Sequence, residues 1–306
     1  MPRIRIGTRG SPLALWQANA VRDRLVAADP SLAEPGAVEI VPIRTSGDRI
    51  QGGPLTDLGG KGLFTKEIEE GLAAGALDLA VHSLKDMPTR LPDGLVVTAV
   101  LERADPRDAL IATGATGLAD IARGAAIGTA ALRRKALVLH RRPDLRVVPL
   151  RGNVETRLRK IAAGEADATL LAVAGLARLG LLDRAAAILP ADEVPPAVCQ
   201  GIIAIECRAA DSAIRTRLDA IDHRATAVAA TAERAFLDAI DGSCRTPIAG
   251  LAEIDAGTVA LRALVIRPDG TGLIEACRRG AAADAAALGA DAGAELKGRA
   301  GPDYFA

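Results

Sequence analysis

The β–α unit that sets the fold spans residues 3–21 and reads RIRIGTRGSPLALWQANAV. Apolar and polar residues alternate over Arg3–Thr8, which predicts a half-buried strand. Ser11 and Pro12 then supply a helix N-cap and a proline suited to the first helical turn. The helical spacing beyond them predicts one buried face, formed by Leu13, Trp16, Ala20 and Val21.

The same alternation of strand and helix patterns recurs over the first two hundred residues. Further strands are predicted at Val38–Arg44, Asp78–Ser83, Leu95–Leu101, Ala109–Ala112, Ala126–Gly128, Arg146–Leu150 and Thr169–Val173. Helices are predicted at about Leu63–Ala74 and at Leu132–Arg141, Val154–Ala163 and Ala174–Leu179. This βαβ rhythm is typical of a mostly parallel sheet, and its repetition indicates two similar α/β lobes with a cleft between them.

The pattern changes in the last third of the chain. A buried strand is predicted at Val198–Cys207, followed by a long helix at Ala225–Ile240. Two strands, Ile248–Ile254 and Thr258–Ile266, precede an alanine-rich helix near Ala281–Leu296. These elements predict a small α+β domain at the C-terminal end.

Length and composition exclude several classes of protein. A chain of 306 residues allows two or three domains and a sizeable core without disulfides. Its 38 Lys and Arg balance 38 Asp and Glu, and only five residues are aromatic, which disfavours a nucleic-acid-binding surface. No apolar run reaches the roughly 18 residues of a membrane-spanning helix, and no secretory signal core is present. We therefore expect a cytoplasmic protein without nucleic-acid or membrane partners.

The four cysteines form neither a CxxC pair nor zinc-ligand spacing with histidine, so neither a metal site nor a disulfide scaffold is expected. Cys199 and Cys207 lie in an apolar run and are predicted to be buried. Cys244 lies in a loop that reads DGSCRTP, beside Arg245, which favours the thiolate. A nucleophilic Cys244 and a loop cysteine without a role are both open.

Positive charge is concentrated between Arg133 and Lys160, where ten cations accompany only two anions, Asp144 and Glu155. Part of this charge lies at predicted strand-to-helix turns, after the strands that end at Gly128 and Leu150. Backbone amides and the helix dipole favour anions at such turns, and guanidinium groups bind carboxylates through paired hydrogen bonds. We therefore predict anion binding by Arg133, Arg134, Arg151 and Arg157.

Two alternatives accompany that prediction. A solvated helix face is the preferred interpretation for Arg141, Arg142, Arg159 and Lys160. Nucleic acid is a rival ligand for the basic window, but the neutral total charge and the few aromatic residues disfavour it.

Charged residues also follow two predicted strands of the first lobe. Arg9 follows the first strand, next to Ser11, and Lys61 lies in the glycine-rich stretch GGKGLF, which lacks the Ser or Thr of a phosphate-binding P-loop. Lys85 and Asp86 close the strand at Asp78–Ser83. A single carboxylate among anion-binding cations is suited to accept N–H bonds or to stabilise a developing cation, and a structural salt bridge is an equal alternative.

An ordered set of motifs resembles the porphobilinogen deaminase family, also called the hydroxymethylbilane synthases. In the first half of the chain the matching stretches are Thr8–Gln17, Gly59–Phe64, Val81–Pro88, Asp105–Ala109, Leu132–Arg134, Arg141–Leu145 and Leu150–Val154. In the second half they are Leu171–Leu176, Arg178–Gly180, Gln200–Gly201, Ile205–Arg208 and Thr231–Ala235. Each motif is short, but their order and spacing hold from residue 4 to about residue 275.

The resemblance implies an α/β fold of two periplasmic-binding-protein-like lobes plus a small α+β C-terminal domain. The expected domains are residues 1–100 with 197–220, residues 101–196, and a cofactor-carrying domain at residues 221–306. It also implies a monomer that condenses four porphobilinogen molecules head-to-tail, releases ammonia and forms the linear tetrapyrrole hydroxymethylbilane. The implied cofactor is a dipyrromethane, joined by a thioether to Cys244.

Roles follow from the same resemblance, residue by residue. Asp86 matches the central catalytic carboxylate, and the remaining matches to catalytic residues are Arg9, Lys61, Phe64 and Arg178. Besides Cys244 and Asp86, the residues matched to cofactor binding are Ser11, Lys85, Thr129, Arg133, Arg134, Arg151, Gly152, Arg157 and Gln200.

The sequence departs from the family pattern at a few positions. Ala130 and Ala131 occur where the family usually has two serines, and Cys199 replaces a usual glycine beside Gln200. Ser243 and Arg245 replace common neighbours of the cofactor cysteine. Two alternatives therefore stay open: a non-catalytic two-lobed binder of small polycarboxylates, and an inactive relative that still carries the cofactor.

Overall fold

A computed structural model describes residues 4–49, 64–242 and 246–304. Its strands are β1 (Ile4–Arg9), β2 (Val38–Ile43), β3 (Leu79–Ser83), β4 (Leu95–Val100), β5 (Asp108–Ala112), β6 (Ala126–Gly128), β7 (Arg146–Val148), β8 (Ala168–Ala172), β9 (Ala187–Ile188), β10 (Ile203–Arg208), β11 (Ile248–Asp255), β12 (Thr258–Val265) and β13 (Ile274–Ala281). Its helices are α1 (Pro12–Ala28), α2 (Ser46–Arg49), α3 (Lys66–Ala73), α4 (Leu132–Arg141), α5 (Val154–Ala162), α6 (Val173–Arg178), α7 (Ser212–Asp219), α8 (Arg224–Ala239) and α9 (Ala285–Arg299).

The chain divides into two compact units. The first unit comprises Met1–Arg103 and Ile202–Ala227, and the second comprises Ala104–Gly201 and Val228–Ala306. The predicted division at residues 1–100 with 197–220, 101–196 and 221–306 stays a prediction.

Each unit contains a five-stranded sheet, and the two sheets have the same topology. The orders are β2-β1-β3-β10-β4 in the first unit and β7-β6-β8-β5-β9 in the second. In each, three parallel strands come first, and the fourth position is occupied by an antiparallel strand. The antiparallel strand β5 is the first strand after the chain enters the second unit, and β10 is the first after the chain returns to the first unit. The two α/β lobes are therefore confirmed, with one antiparallel strand in each sheet.

A third sheet, β11-β12-β13, is antiparallel and packs against α9. Ala249, Leu264 and Ile266 from this segment join the core that surrounds Leu110 and Leu137 of the second unit. The small α+β C-terminal part of the predicted fold class is thus confirmed.

Helix α1 begins as predicted, with a serine N-cap followed by a proline. The Ser11 side chain accepts a hydrogen bond from the Ala14 N–H at 3.3 Å, so Ser11 is the N-cap and Pro12 lies in the first turn. The predicted buried face is wrong in part, because Trp16 is 42% exposed. The residues of α1 that are buried are Gln17, Ala18, Val21 and Leu25.

Other differences lie mostly in the second half of the chain. The predicted strand Val198–Cys207 begins only at Ile203, because residues 198–201 form turns. Helices α2 and α7 and strands β9 and β13 were not predicted. Cys199 and Cys207 are both buried, as predicted. No helix among the described residues combines the length and hydropathy needed to cross a membrane.

Close packing between α8 and α9 leads to a prediction about stability. A Cβ at Gly289 would overlap the carbonyl oxygen of Ala232, whereas a Cβ at Gly298, in the same helix, would meet no atom within 4 Å. We expect Gly289→Ala to lower the free energy of unfolding by about 1–3 kcal/mol through overpacking. The control Gly298→Ala should leave it unchanged or raise it by up to about 1 kcal/mol. Urea unfolding of both variants measures the difference, and equal stabilities would contradict the packing described.

Candidate active site

A pocket of the first unit lies at the carboxyl ends of the parallel strands β1 and β3. Arg9 is the last residue of β1, and its guanidinium carbon lies 4.2 Å from the centroid of the Phe64 ring. This cation–π contact holds a positive charge at the pocket beside the N-terminus of α1, which Ser11 caps. Both features favour a negatively charged ligand group there.

Asp86 lies in the same pocket, on a short 3₁₀ turn formed by Leu84–Asp86 directly after β3. The Met87 N–H closes this turn by donating to the Leu84 carbonyl at 3.1 Å. Asp86 is exposed, whereas Lys85 is half-buried. The turn thus presents one carboxylate to a pocket that also contains Arg9, an arrangement suited to accept N–H bonds from a ligand whose own carboxylates pair with cations.

The floor of this pocket is polar. Gln17 is buried and donates to the Ser83 hydroxyl at 2.9 Å. His82 is buried, and its Nε2 lies 3.1 Å from a carboxylate oxygen of Glu206. None of His82, Gln17 and Glu206 was predicted from the sequence as a site residue.

A buried ionic cluster organises the corresponding edge of the second unit. The Asp108 carboxylate is fully buried and accepts hydrogen bonds from Arg133 Nη2 at 2.7 Å, Arg134 Nη2 at 2.7 Å and Arg134 Nε at 3.1 Å. Burial opposes its ionisation, but the two guanidinium groups hold the pKa of Asp108 far below its usual range. Two guanidinium charges face one carboxylate, so the cluster keeps a net positive charge.

Further contacts connect this cluster to the chain segment that ends the second lobe. Gln200 is buried and donates to Asp108 at 2.8 Å and to the Pro106 carbonyl at 2.7 Å. Arg133 also donates to the Pro195 carbonyl at 2.6 Å. Asp108 was not predicted as a site residue. The signal that the sequence offered was a carboxylate at the start of a strand, without a cation three or four residues away to pair with it.

The N-terminus of α4 lies beside the cluster. Thr129 is buried, donates its N–H to the Val148 carbonyl at 2.9 Å and accepts from the Ala131 N–H at 3.1 Å. Ala131 is the N-cap residue and provides no side-chain hydrogen bond to the helix. The positive end of the helix dipole therefore adds to the charge of Arg133 and Arg134.

A second cationic turn joins β7 to α5. Arg151 is half-buried and forms neither a hydrogen bond nor an ion pair with the residues that the structure describes. Gly152 adopts φ +122°, and a Cβ there would lie 2.5 Å from Thr156 Cγ2, so this turn requires glycine. Asn153 caps α5 by accepting from the Thr156 N–H at 2.8 Å, and Arg157, in the first turn of α5, is half-buried.

Arg178, at the end of α6, donates to the Gly201 carbonyl at 2.7 Å. Burial lowers its pKa to about 10, so the side chain stays charged at neutral pH. Lys61 and Cys244, both predicted as site residues, lie outside the described residues, as do Ser243 and Arg245.

The predicted solvated face is wrong in part. Arg141 and Arg159 are exposed, whereas Lys160 is half-buried, with its Nζ 3.3 Å from Glu165 Oε2. Arg142 is half-buried as well. Its guanidinium donates to the carbonyls of Leu118, Ala119 and Ile121 and pairs with Asp144 at 2.8 Å. Arg142 therefore satisfies backbone acceptors of a neighbouring turn, which hydropathy patterning does not reveal.

Comparison with known proteins gives matches over nearly the whole chain. Residues 4–216 match the family described as "Porphobilinogen deaminase, dipyromethane cofactor binding domain", and residues 227–298 match "Porphobilinogen deaminase, C-terminal domain". Porphobilinogen deaminase of Nitrobacter hamburgensis is 59% identical over 98% of this chain and 94% of that protein. The chloroplastic porphobilinogen deaminase of Pisum sativum is 52% identical over 99% of this chain and 83% of that protein.

A solved structure shows a more distant similarity. The periplasmic substrate-binding protein of an ABC transporter from Coxiella burnetii is 15% identical, with a TM-score of 0.44 over 71% of this chain and 91% of that chain.

The Asp108 cluster leads to a prediction about stability. Asp108→Asn should lower the free energy of unfolding by about 3–5 kcal/mol, because two buried guanidinium groups lose their counter-charge. Since the pKa of Asp108 is lowered in the folded state, its contribution is present above the unfolded value of 3.8 and is lost only as pH falls below it. The deficit should therefore be constant from about pH 5 to about pH 8.

Urea unfolding across that pH range measures this deficit. Asp144→Asn is the matched control, because it removes a carboxylate from a partly exposed pair with Arg142, whose guanidinium keeps its backbone acceptors, and it should cost far less. Similar losses in the two variants would argue against a stabilising role for the buried cluster.

Proposed function

The chain belongs to the porphobilinogen deaminase family, and from that premise we propose the roles of its individual residues in the reaction. The protein is a transferase of porphyrin biosynthesis that condenses four porphobilinogen molecules head-to-tail, releases ammonia and yields hydroxymethylbilane. The observation that carries this conclusion is the match to both family domains over residues 4–216 and 227–298. The alternative of a non-catalytic polycarboxylate binder is not favoured, because it explains the arginines but not Asp86 or Cys244.

The family's cofactor is a dipyrromethane, whose two rings carry acetate and propionate side chains, so its ligands must balance several carboxylates. The second unit has groups suited to this task. Its Asp108 cluster keeps a net positive charge, and Arg151 has no ion-pair partner among the described residues. We infer that the cofactor's carboxylates are held by Ser11, Lys85, Thr129, Arg133, Arg134, Arg151, Gly152, Arg157 and Gln200, with a thioether at Cys244.

When bound, the dipyrromethane supplies the primer to which the substrate rings are added. Its covalent attachment at Cys244 would keep the primer on the protein when the product leaves. Because Cys244 follows α8 closely in sequence, the C-terminal part of the chain would carry this attachment.

Asp86 is the proposed central catalytic carboxylate. When ammonia leaves porphobilinogen, the carbon that held it becomes electron-poor, and positive charge spreads to the pyrrole nitrogen. A carboxylate that accepts the pyrrole N–H stabilises this charge and orients the ring. Asp86 is exposed on its 3₁₀ turn and lines the pocket, so its side chain is accessible to a ligand.

The remaining catalytic roles concern the carboxylates of the incoming substrate. Arg9, stacked on Phe64, would bind one of them at the pocket of the first unit. Arg178 retains its charge despite burial and is proposed to bind another carboxylate of the incoming substrate. Lys61 is assigned to the same group by its position in the family motif. We further propose that the protein acts as a monomer in the cytoplasm, without a metal, nucleic acid or membrane partner.

The covalent cofactor leads to a direct test. Intact-mass spectrometry of the purified protein should give the sequence mass plus one dipyrromethane, and Cys244→Ser should give the bare sequence mass. Cys277→Ser is the control, because Cys277 is exposed on β13 and should leave the added mass in place. A wild-type protein at its bare mass, or an added mass that survives in Cys244→Ser, would contradict the assignment.

The role of Asp86 leads to a second test. Asp86→Asn should lower kcat by about a hundredfold or more, because the amide cannot neutralise the charge that develops on the pyrrole ring. The melting temperature should not change, since Asp86 is exposed. Asp93→Asn, an exposed carboxylate on the loop before β4, should retain full turnover. Near-normal kcat in Asp86→Asn would remove this residue from the mechanism.

A further inference from the structure

The pocket that contains Asp86 has a buried acid–base pair behind it that the roles above do not use. His82 on β3 is 6% exposed and Glu206 on β10 is fully buried. His82 Nε2 lies 3.1 Å from Glu206 Oε2. The two side chains come from neighbouring antiparallel strands, so the sheet itself holds them together.

The contact between His82 and Glu206 leaves one carboxylate oxygen and one ring nitrogen outside it. The second carboxylate oxygen of Glu206, Oε1, is buried and has no hydrogen-bond partner in the described part of the chain. Its other oxygen, Oε2, has the His82 imidazole as its partner, so a donor on that ring is the contact that offsets the burial of this carboxylate. With Nε2 directed to Glu206, the other ring nitrogen, Nδ1, is the position at which His82 can gain or lose a proton.

His82 also lines the pocket, together with Asp86 and Arg9. The charged groups around the imidazole are therefore Glu206 on β10, Glu69 on α3, and Arg9 and Asp86 along the pocket. Burial raises the pKa of Glu69. Glu206 is the carboxylate within hydrogen-bond distance of the His82 imidazole.

The reaction requires such a group once in every addition. The C–N bond of the protonated aminomethyl group of the substrate breaks, and its electron pair leaves with nitrogen as ammonia. A ring α-carbon then bonds to the electron-poor methylene carbon, and its C–H bond breaks, returning the electron pair to the ring and releasing one proton. Each cycle therefore produces one ammonia and one proton, which can leave together as ammonium.

We propose that His82, held by Glu206, accepts the proton released at carbon–carbon bond formation and passes it to the ammonia released earlier in the same addition, which departs as ammonium. Asp86 remains the carboxylate that stabilises the substrate's positive charge, while His82 temporarily carries the proton. Glu206 acts through His82 and is a positioning residue. The inference rests on the proposed function, since it concerns a step of the same reaction.

The test combines a titration with kinetics. The chain contains three histidines, so the ring signal of His82 can be assigned by NMR from the spectrum of His82→Gln. Only neutral His82 can accept a proton, so kcat should fall as pH falls through the NMR midpoint of His82. In Glu206→Gln the loss of negative charge should move this midpoint to lower pH, and the acid limb of kcat should move by the same amount.

The variant His82→Gln retains a donor for Glu206 but cannot carry the proton. Its kcat should fall about tenfold or more and lose the acid limb, with KM and the loaded cofactor mass nearly unchanged. His223→Gln is the control, because that imidazole contacts Thr226 at the start of α8 and should leave the profile unaltered.

Several outcomes would overturn the inference. One is that the fall of kcat at low pH occurs at the same pH in Glu206→Gln as in the wild type, although the NMR midpoint of His82 has moved. Another is that His82→Gln still shows this fall of kcat at low pH. If neither variant folds, the wild-type protein still provides a test. A midpoint for the fall of kcat at low pH that differs from the NMR midpoint of His82 would contradict the inference. A wild-type protein without cofactor or turnover would instead contradict the proposed function itself.

Discussion

The second unit depends on one buried carboxylate with two guanidinium partners. Asp108 begins β5, and the arginines that contact it lie in the first turn of α4, 25 and 26 residues further on. Gln200 and the Pro195 carbonyl attach the segment that leaves this lobe to the same cluster. Buried ion pairs contribute little net stability relative to apolar packing, but they tolerate few alternative arrangements. The cluster thus fixes where α4 begins and keeps both guanidinium groups charged within the protein.

The two units have opposite charge balances around a buried carboxylate on the antiparallel strand of each sheet, Asp108 on β5 and Glu206 on β10. In the second unit, two cations surround one carboxylate beside the carboxyl ends of the parallel strands. In the first unit, one imidazole lies beside the buried carboxylate of Glu206, with Glu69 close enough for its charge to act. The first arrangement suits a polyanion that stays bound, and the second suits a proton that is taken up and released. One sheet architecture therefore supports both binding and proton transfer.

Local signals in the sequence were sufficient for most of the elements that position the site. The helix predicted at Leu132–Arg141 has those bounds, and Ser11 caps α1 as predicted, because periodicity and capping act within a few residues. The pairs that build the site were not predictable in this way. His82 and Glu206 are 124 residues apart in sequence, and only strand pairing between β3 and β10 brings them together. Likewise, the polar side chain of Gln17 suggests a surface position, but Gln17 is buried and hydrogen-bonded to Ser83, whereas the neighbouring Trp16 is exposed.

The departures from the family pattern can be explained by backbone geometry. Cys199 adopts φ +61°, a conformation that favours the glycine usual at this position, and its N–H donates to the buried Glu233 carboxylate at 2.5 Å. Glu233 also accepts from the Ala252 N–H, so α8 holds this strained residue in place. Ala131, where the family usually has a serine, leaves α4 without a side-chain cap. The N-cap residue of α4 therefore offers its first-turn amides no side-chain acceptor, which leaves these amides to a bound carboxylate.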